Sequence, residues 1–375
     1  QTSVVVQSGG VQVFVDLLRS PNLDVQEQSV WGLGNIAGDS PALRDLVHRS
    51  GAMPLLVDVW FASDKVSLRR NTVWTVSNLC RGKPSPALDD VLPAMRMLVD
   101  AINSEDDEVL ADASWALSYI ADGPNNRIQA VIDAGVVQRL VELLAHNQAN
   151  VVTSALRTVG NIVTGEDAQT ESVLSCGVLP LFRGLQGHTK RGIRKEVCWS
   201  ISNITAGTSK QIQAVLDAGL IEPIIQTLRT DEDDVRKEAL WVLANIASGG
   251  SSEQLQRLIH MENCATHLVE AVSWNENRMK KCALGAIKLL VEAGRKLQRE
   301  GKLPENPLAA PLLETDLLEV LERLQERADG DADVPDEAGR ILALLGEGEA
   351  EDSGQPADGA PGQEDSGQPA DGAPG

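Results

Sequence analysis

Apolar residues along this chain return at intervals of three and four, in stretches short enough that each describes a single helix. In VVQRLVELL they fall at Val136, Leu140, Val141 and Leu144, the stripe by which an amphipathic helix buries one side. Two series of glycines mark the joints between such stretches. Gly9, Gly51, Gly135, Gly177 and Gly219 are separated by 42, 84, 42 and 42 residues, and Gly38, Gly82, Gly123, Gly165, Gly207 and Gly249 by 44, 41, 42, 42 and 42. Between joints, each period reads as a short helix, a middle one and a longer one, as in NNRIQAVIDAG, VVQRLVELL and NVVTSALRTVGNIVTG. The glycines are expected to supply the left-handed residue that ends a helix. Pro41, Pro84 and Pro124 are expected to open the next element.

A chain of 375 residues is longer than one core usually supports, and repetition explains how it grows. Three helices per period of 42 residues match the armadillo repeat. The expected fold is all-α: an armadillo-repeat, right-handed superhelical solenoid of about eight three-helix repeats. The units fall at about 1–39, 40–82, 83–123, 124–165, 166–207, 208–250, 251–300 and 301–346, with a weaker pattern in the last two. From Gly346 the sequence repeats itself every thirteen residues and lacks large apolar side chains. Residues 347–375 are therefore expected to form a disordered, acidic, low-complexity tail.

The longest helix of successive units carries Trp31 with Asn35, Trp74 with Asn78, Trp115 with Tyr119, Arg157 with Asn161, Trp199 with Asn203 and Trp241 with Asn245. A spacing of four stacks the two side chains on one helical face. With Val30 at 0° and about 100° per residue, Leu33, Gly34 and Ala37 lie within about 60° of it, whereas Trp31 lies near about 100° and Asn35 near about 140°. The pair is off the apolar stripe. Three residues before each rung stand Gln28, Asn71, Asp112, Ser154, Glu196 and Glu238, all polar and expected on the same exposed face. A lone tryptophan on a helix is usually core. Five in register, four followed by Asn at plus four, instead describe a strip along the concave surface of a solenoid.

Such a strip suits an extended basic peptide. Neighbouring indoles leave slots for the methylene stems of Lys or Arg, with cation–π attraction of about 0.5–2 kcal/mol per cation. Asn can bond both N–H and C=O of a peptide backbone, and Asp39, Asp112, Glu196 and Glu238 are expected to meet the cationic tips. Helices packed about 8–10 Å apart serve about three extended residues per unit. Arg157, at a tryptophan position, divides the ladder into Trp31, Trp74 and Trp115 on one side and Trp199 and Trp241 on the other. One peptide reaching both segments needs a linker of about ten residues, the layout of a bipartite basic signal.

Charge supports that choice of partner. The net charge is −21, and −13 remains once the eight acids of the tail are set aside. An acidic surface attracts cationic segments and disfavours nucleic acid and anionic membrane surfaces. No apolar run approaches a membrane span. Five cysteines, Cys80, Cys176, Cys198, Cys264 and Cys282, form no CxxC pair and fit reduced thiols inside a cell. His260, Glu262, Cys264 and His267 are close in sequence, but they fall in the turn between two helices, a poor place for tetrahedral metal ligation. No GxSxG, HExxH or phosphate-loop pattern occurs, so neither catalysis nor a cofactor is expected. The competing reading is a general armadillo scaffold for another extended peptide, and the acidic groove argues against an acidic partner.

The segments VWGLGNIAGDSPALRDLV, LRRNTVWTVSNLCRGK, VLADASWALSYIADGPNNRI, ALRTVGNIVTG, EVCWSISNITAG and KEALWVLANIASGGS, in this order, resemble the importin alpha family of nuclear import adaptors. Even Tyr119 and Arg157 fall where that family has Tyr and Arg. The resemblance implies binding of mono- and bipartite nuclear-localisation signals and shuttling between cytoplasm and nucleus. It places Gln28, Trp31, Asn35, Asp39, Asn71, Trp74, Asn78, Asp112 and Trp115 in a major signal-binding site. Tyr119, Arg157, Asn161, Asp167, Glu196, Trp199, Asn203, Glu238, Trp241 and Asn245 fall in or beside a minor one. By the same resemblance the sequence, which begins at Gln1 without a Met, starts at the family's third repeat. It then lacks the arginine-rich importin-beta-binding segment, and a weakened major site beside an intact minor one is expected. Gly285 and Leu289 stand where a seventh pair would, and the C-terminal repeats, which meet an export receptor in that family, match weakly.

Overall fold

A computed structural model describes residues 2–301, 305–326 and 333–350, with side chains as far as 346. Every regular element among them is a helix. In chain order the first two units hold α1 (Thr2–Gln7), α2 (Gly10–Leu17), α3 (Leu23–Asp39), α4 (Pro41–Arg49), α5 (Ala52–Ala62) and α6 (Val66–Cys80). The third holds α7 (Leu88–Val91), a 3-10 turn over Leu92–Ala94, α8 (Met95–Ala101) and α9 (Asp107–Ala121). Next come α10 (Asn125–Asp133), α11 (Val137–Leu143), α12 (Ala149–Ile162), α13 (Asp167–Leu174), α14 (Val178–Leu185) and α15 (Arg191–Thr205). The series continues with α16 (Ser209–Asp217), α17 (Ile221–Thr230), α18 (Asp233–Gly249), α19 (Ser252–Ile259), α20 (Cys264–Val272) and α21 (Asn277–Arg299). It ends with α22 (Ala310–Leu313), α23 (Leu317–Glu326) and α24 (Asp333–Ala350). Residues 351–375, the greater part of the segment read as an acidic tail, lie outside the described residues.

The third helices, α3, α6, α9, α12, α15, α18, α21 and α24, pack each against the next in an unbroken row. Their apolar stripes feed one continuous core: Val30, Leu33, Ile36 and Ala37 of α3 are buried, as are Val151, Ala155, Leu156 and Val159 of α12. No unit can close this core alone, so stacking is what makes the fold. Local chemistry starts the helices. Asn22 accepts from the N–H groups of Asp24 and Val25, and Asp106 from those of Glu108 and Val109, each satisfying donors that a first turn leaves free.

The two glycine series do different work. Gly9, Gly51, Gly135, Gly177 and Gly219 have φ between 66° and 78°, the left-handed conformation expected of them. In the second series only Gly82, at 110°, is left-handed. At Gly165 and Gly207 the requirement is space, because a Cβ would collide with Oε1 of Gln169 and of Gln211. Those buried glutamines cap the following helix and tie it to its predecessor. Gln211 Oε1 accepts from Thr208 N–H at 3.0 Å while its Nε2 donates to Asp167 O at 3.0 Å. Gln169 does the same with Glu166 N–H and Asn125 O, and Gln254 with Ser251 N–H and Ser209 O. This second row of inter-unit bonds went unread in the sequence.

The third unit departs from the three-helix pattern. Pro41 occupies the first turn of α4, and Pro124 sits at the N-cap of α10, but Pro84 opens no helix. Pro84 and Pro86 remove two N–H donors and hold their neighbours extended, so the first helix shrinks to the single turn of α7. Replacing Gln211 by Leu leaves Thr208 N–H without its partner and removes the bond to Asp167 C=O. That change is expected to cost about 1–3 kcal/mol, seen as a lower thermal midpoint with helix content retained.

Candidate functional site

The tryptophan ladder lies on the row of third helices. Trp31 is 51% exposed, and Gln28, Asn35 and Asp39 are exposed with it. Trp74, Trp115, Trp199 and Trp241 are half-buried, and the indoles of Trp74 and Trp199 are laid against the helix of the unit before them. An added Cβ on Gly160 of α12 would lie 2.5 Å from Trp199 Cζ3, and one on Gly34 of α3 would collide with Trp74. The glycine before each of these asparagines is therefore a seat for the next unit's indole. Reading GNI segments only as helix ends missed this.

The asparagines are held rather than free. Asn78 and Asn161, each 8% exposed, donate Nδ2 to Gly34 O at 3.2 Å and Ser118 O at 2.9 Å, and Asn245 donates to Ser202 O at 2.8 Å. Asn35 donates to Trp31 O in its own helix. Each spends one amide hydrogen inside the protein and keeps the second hydrogen and Oδ1. Asn203 is different. Its Nδ2 is buried with no hydrogen-bond partner among the described residues. Ser154, expected on the exposed face, is fully buried, its short side chain turned back to donate to Val151 O.

Carboxylates line the strip. Glu196 Oε1 already holds Arg157 Nη2 at 2.7 Å, whereas its Oε2 is buried without a partner among the described residues. Burial pushes Glu196 up from the usual carboxylate range despite the pull of Arg157, and it pushes Glu238 up as well. For Asp112, burial and the neighbouring Glu108 carboxylate raise the pKa to about 6. Asn71 donates to Glu27 Oε1 at 3.3 Å, tying α6 to α3. Asp167 is exposed at the start of α13.

The aromatic rungs also differ in what covers them. Tyr119 stacks on Trp115 with ring centroids 5.9 Å apart at 20°. The Arg157 guanidinium lies 5.4 Å from the centre of the Trp199 ring. A second cation shares this surface with Arg157, because Arg278 of α21 reaches the Trp241 ring at 5.4 Å. A distant helix supplies it, which a search along the ladder helices could not find. The remaining tryptophans serve elsewhere: Trp60 is buried and donates to Asp100 at 2.9 Å, and Trp274 stacks with Arg236.

No group of three or more His, Cys, Asp or Glu that could hold a metal ion occurs among the described residues. His260 Nδ1 lies 2.8 Å from Gln256 O and His267 Nδ1 lies 2.9 Å from Glu270 Oε2, and burial pushes the Cys264 thiol up to about 12. No described helix is long and apolar enough to cross a membrane.

Residues 1–38, 40–81, 91–122, 124–164, 166–206 and 208–248 match the armadillo/beta-catenin-like repeat. The chain belongs to the armadillo-repeat family. The match skips 82–90, where prolines shorten the third repeat's first helix. Over 151 residues the chain is 56% identical to importin subunit alpha-1b of Oryza sativa subsp. japonica, covering 40% of this chain and 28% of that protein. It is 56% identical to importin subunit alpha-2 of Arabidopsis thaliana over 145 residues, 39% of this chain and 27% of the relative. It is 43% identical to the probable importin subunit alpha-A of Dictyostelium discoideum over 170 residues, 41% and 31% of the two chains. The chain thus spans less than a third of the length of these curated relatives. Among solved structures, an engineered protein superposes with a TM-score of 0.75 at 27% identity, covering 92% of this chain and 90% of its own. A designed armadillo repeat protein in complex with the peptide (KR)4 superposes with a TM-score of 0.52 at 26% identity, over 74% of this chain and 98% of that one.

Gly160→Ala is expected to drive Trp199 off its seat, at an overpacking cost of about 1–3 kcal/mol and with a changed tryptophan emission spectrum. Gly192, on the next armadillo helix, has open space around it. Gly192→Ala is expected to leave the spectrum unchanged and to stabilise by up to about 1 kcal/mol.

Proposed function

We propose that this armadillo protein holds an extended, Lys- and Arg-rich peptide along its tryptophan strip, and that it serves as a nuclear import adaptor for mono- and bipartite nuclear-localisation signals. The observation that carries the reading is the pair of orphaned buried atoms beside Trp199. Glu196 Oε2 is an acceptor without a donor, and Asn203 Nδ2 is a donor without an acceptor. They sit three residues before and four after that indole. Buried polar atoms are rarely left unpaired, because each costs about 1–3 kcal/mol. A peptide carbonyl satisfies the asparagine, and a lysine or arginine threaded beside Trp199 satisfies the glutamate.

The likeness to importin alpha subunits and to a designed armadillo protein that holds (KR)4 supports the same class of ligand. In this reading Gln28, Trp31, Asn35, Asp39, Asn71, Trp74, Asn78, Asp112 and Trp115 serve one signal-binding segment. Glu196, Trp199, Asn203, Glu238, Trp241 and Asn245 serve the other, with Tyr119, Arg157, Asn161 and Asp167 between or beside them. Shuttling between cytoplasm and nucleus belongs to the same proposal. So do contact with importin beta, through an arginine-rich segment that this sequence does not include, and with an export receptor through the C-terminal repeats.

Fluorescence anisotropy with labelled peptides tests it. A bipartite basic peptide is expected to bind at micromolar Kd or tighter and to lose at least about tenfold when Trp199→Ala and Trp241→Ala are combined. An acidic peptide of equal length that bound better would refute the adaptor reading.

Protonation supplies a second test. Asp112 carries its proton up to about pH 6 in the folded chain, against an ordinary value near 3.8. Its ionisation therefore costs stability as pH rises through that window. A bound cation reverses the preference, because it attracts only the ionised form. Affinity for a basic peptide is expected to fall by about threefold to tenfold between pH 7.5 and pH 5, and Asp112→Asn to flatten that dependence.

A further inference from the structure

The two segments of the ladder are not equivalent. Among the described residues, no guanidinium of the protein stacks on Trp31, Trp74 or Trp115, whereas both tryptophans of the second segment carry one. Arg157 reaches Trp199 from α12, the helix before it in the row, and it is fixed by its ion pair with Glu196. Arg278 reaches Trp241 from α21, the helix after it. The slot between the two indoles is thereby bracketed at both ends by the chain's own arginines.

Arg278 is exposed and is the second residue of α21. Glu238, three residues before Trp241, feels the charge of Lys195 and, less strongly, that of Arg278. Lys237 of α18 pairs with Glu276 at the start of α21, fixing the two helix ends beside this arginine. Beyond it no further rung exists, since Gly285 and Leu289 occupy the corresponding positions of α21. A guanidinium over an indole with a carboxylate nearby is the same chemistry that a ligand's arginine would use. It occupies the place where a peptide cation would come next.

We propose that Arg278 is a register stop: it fills the last cation position of the ladder, so that the second segment accepts a basic side chain between Trp199 and Trp241 but none beyond Trp241. The proposal rests on the peptide-binding reading above and refines it, making Arg278 a determinant of which basic peptides the segment prefers. A peptide whose basic run extends past the Trp199–Trp241 slot gains nothing from the extra cation while Arg278 is in place. Removing Arg278 frees the Trp241 ring for that cation.

The test uses labelled (KR)4 and the full chain carrying Trp31→Ala and Asp112→Asn, which weakens the first segment at an exposed indole and a half-buried carboxylate. In this background Arg278→Ala is expected to tighten binding by about threefold to tenfold, and Arg278→Gln, which keeps much of the stem, to tighten it less. The gain is expected to vanish when Trp241→Ala is added. Lys280→Ala removes the same charge from the same helix about 200° away around its axis, and is expected to change Kd by less than about twofold. If the background protein binds (KR)4 but Arg278→Ala leaves Kd unchanged or weakens it, the stop is wrong and the peptide-binding reading stands. If Lys280→Ala tightens as much as Arg278→Ala, net charge explains the effect and the stop is again wrong. If neither the unmodified chain nor any variant binds (KR)4, both ideas fail together.

Discussion

The close approach of each third helix to the next is the contact on which the rest of this molecule depends. It requires a small residue on one helix wherever the following helix lays an indole, as Gly34 does for Trp74 and Gly160 for Trp199. It is locked by side chains that bond to the carbonyls of the preceding helix. Thr75 donates to Val30 O at 3.0 Å, Asn78 to Gly34 O at 3.2 Å, Thr158 to Ser114 O at 2.9 Å and Asn161 to Ser118 O at 2.9 Å. These carbonyls already serve their own helix, so the added bonds use their second lone pairs. They fix one register between units without breaking the helices. Translation by a turn would set an indole on a larger side chain and strand the amide.

The same contact decides what the concave surface offers. Asn78, Asn161 and Asn245 each give one amide hydrogen to the unit before and present the rest of their amide, and most of the indoles are partly covered. What stays available is uneven: exposed Trp31 at one end, a half-buried Asp112 in the first segment, and the atoms of Glu196 and Asn203 that have no partner among the described residues in the second. The acidic character of the strip is also partly neutralised from within by Arg157 and Arg278. Under the proposed peptide-binding function, an acidic surface that keeps its own cations at chosen positions would select among basic peptides by spacing as well as by charge. A uniformly bare ladder would select by charge alone.

On the outer side of the row, buried glutamines repeat the logic of the asparagines. Gln169, Gln211 and Gln254 each cap a first helix and bond the backbone of the unit before. One or other of these amide bonds joins most successive repeats, and both kinds occur where Gln211 and Asn245 bond the unit before them. In a solenoid, where each unit touches only its neighbours, such clamps decide how rigidly one repeat is set on the next.

The sequence by itself determined the period, the three-helix unit, the all-α solenoid and the face on which Trp and Asn recur, because those follow from spacing along one chain and from the geometry of a single helix. It also located the break at Arg157. It misjudged the second glycine series and the exposure of Ser154. A helical wheel knows the direction of a side chain but not what the next unit brings against it. Only the tertiary structure decided that Gly160 is a seat for Trp199, that Gln211 spans two repeats, and that Arg278 covers Trp241 from thirty-seven residues away. Each of these depends on a contact between helices about one period apart, and such a contact has no signature in the local pattern.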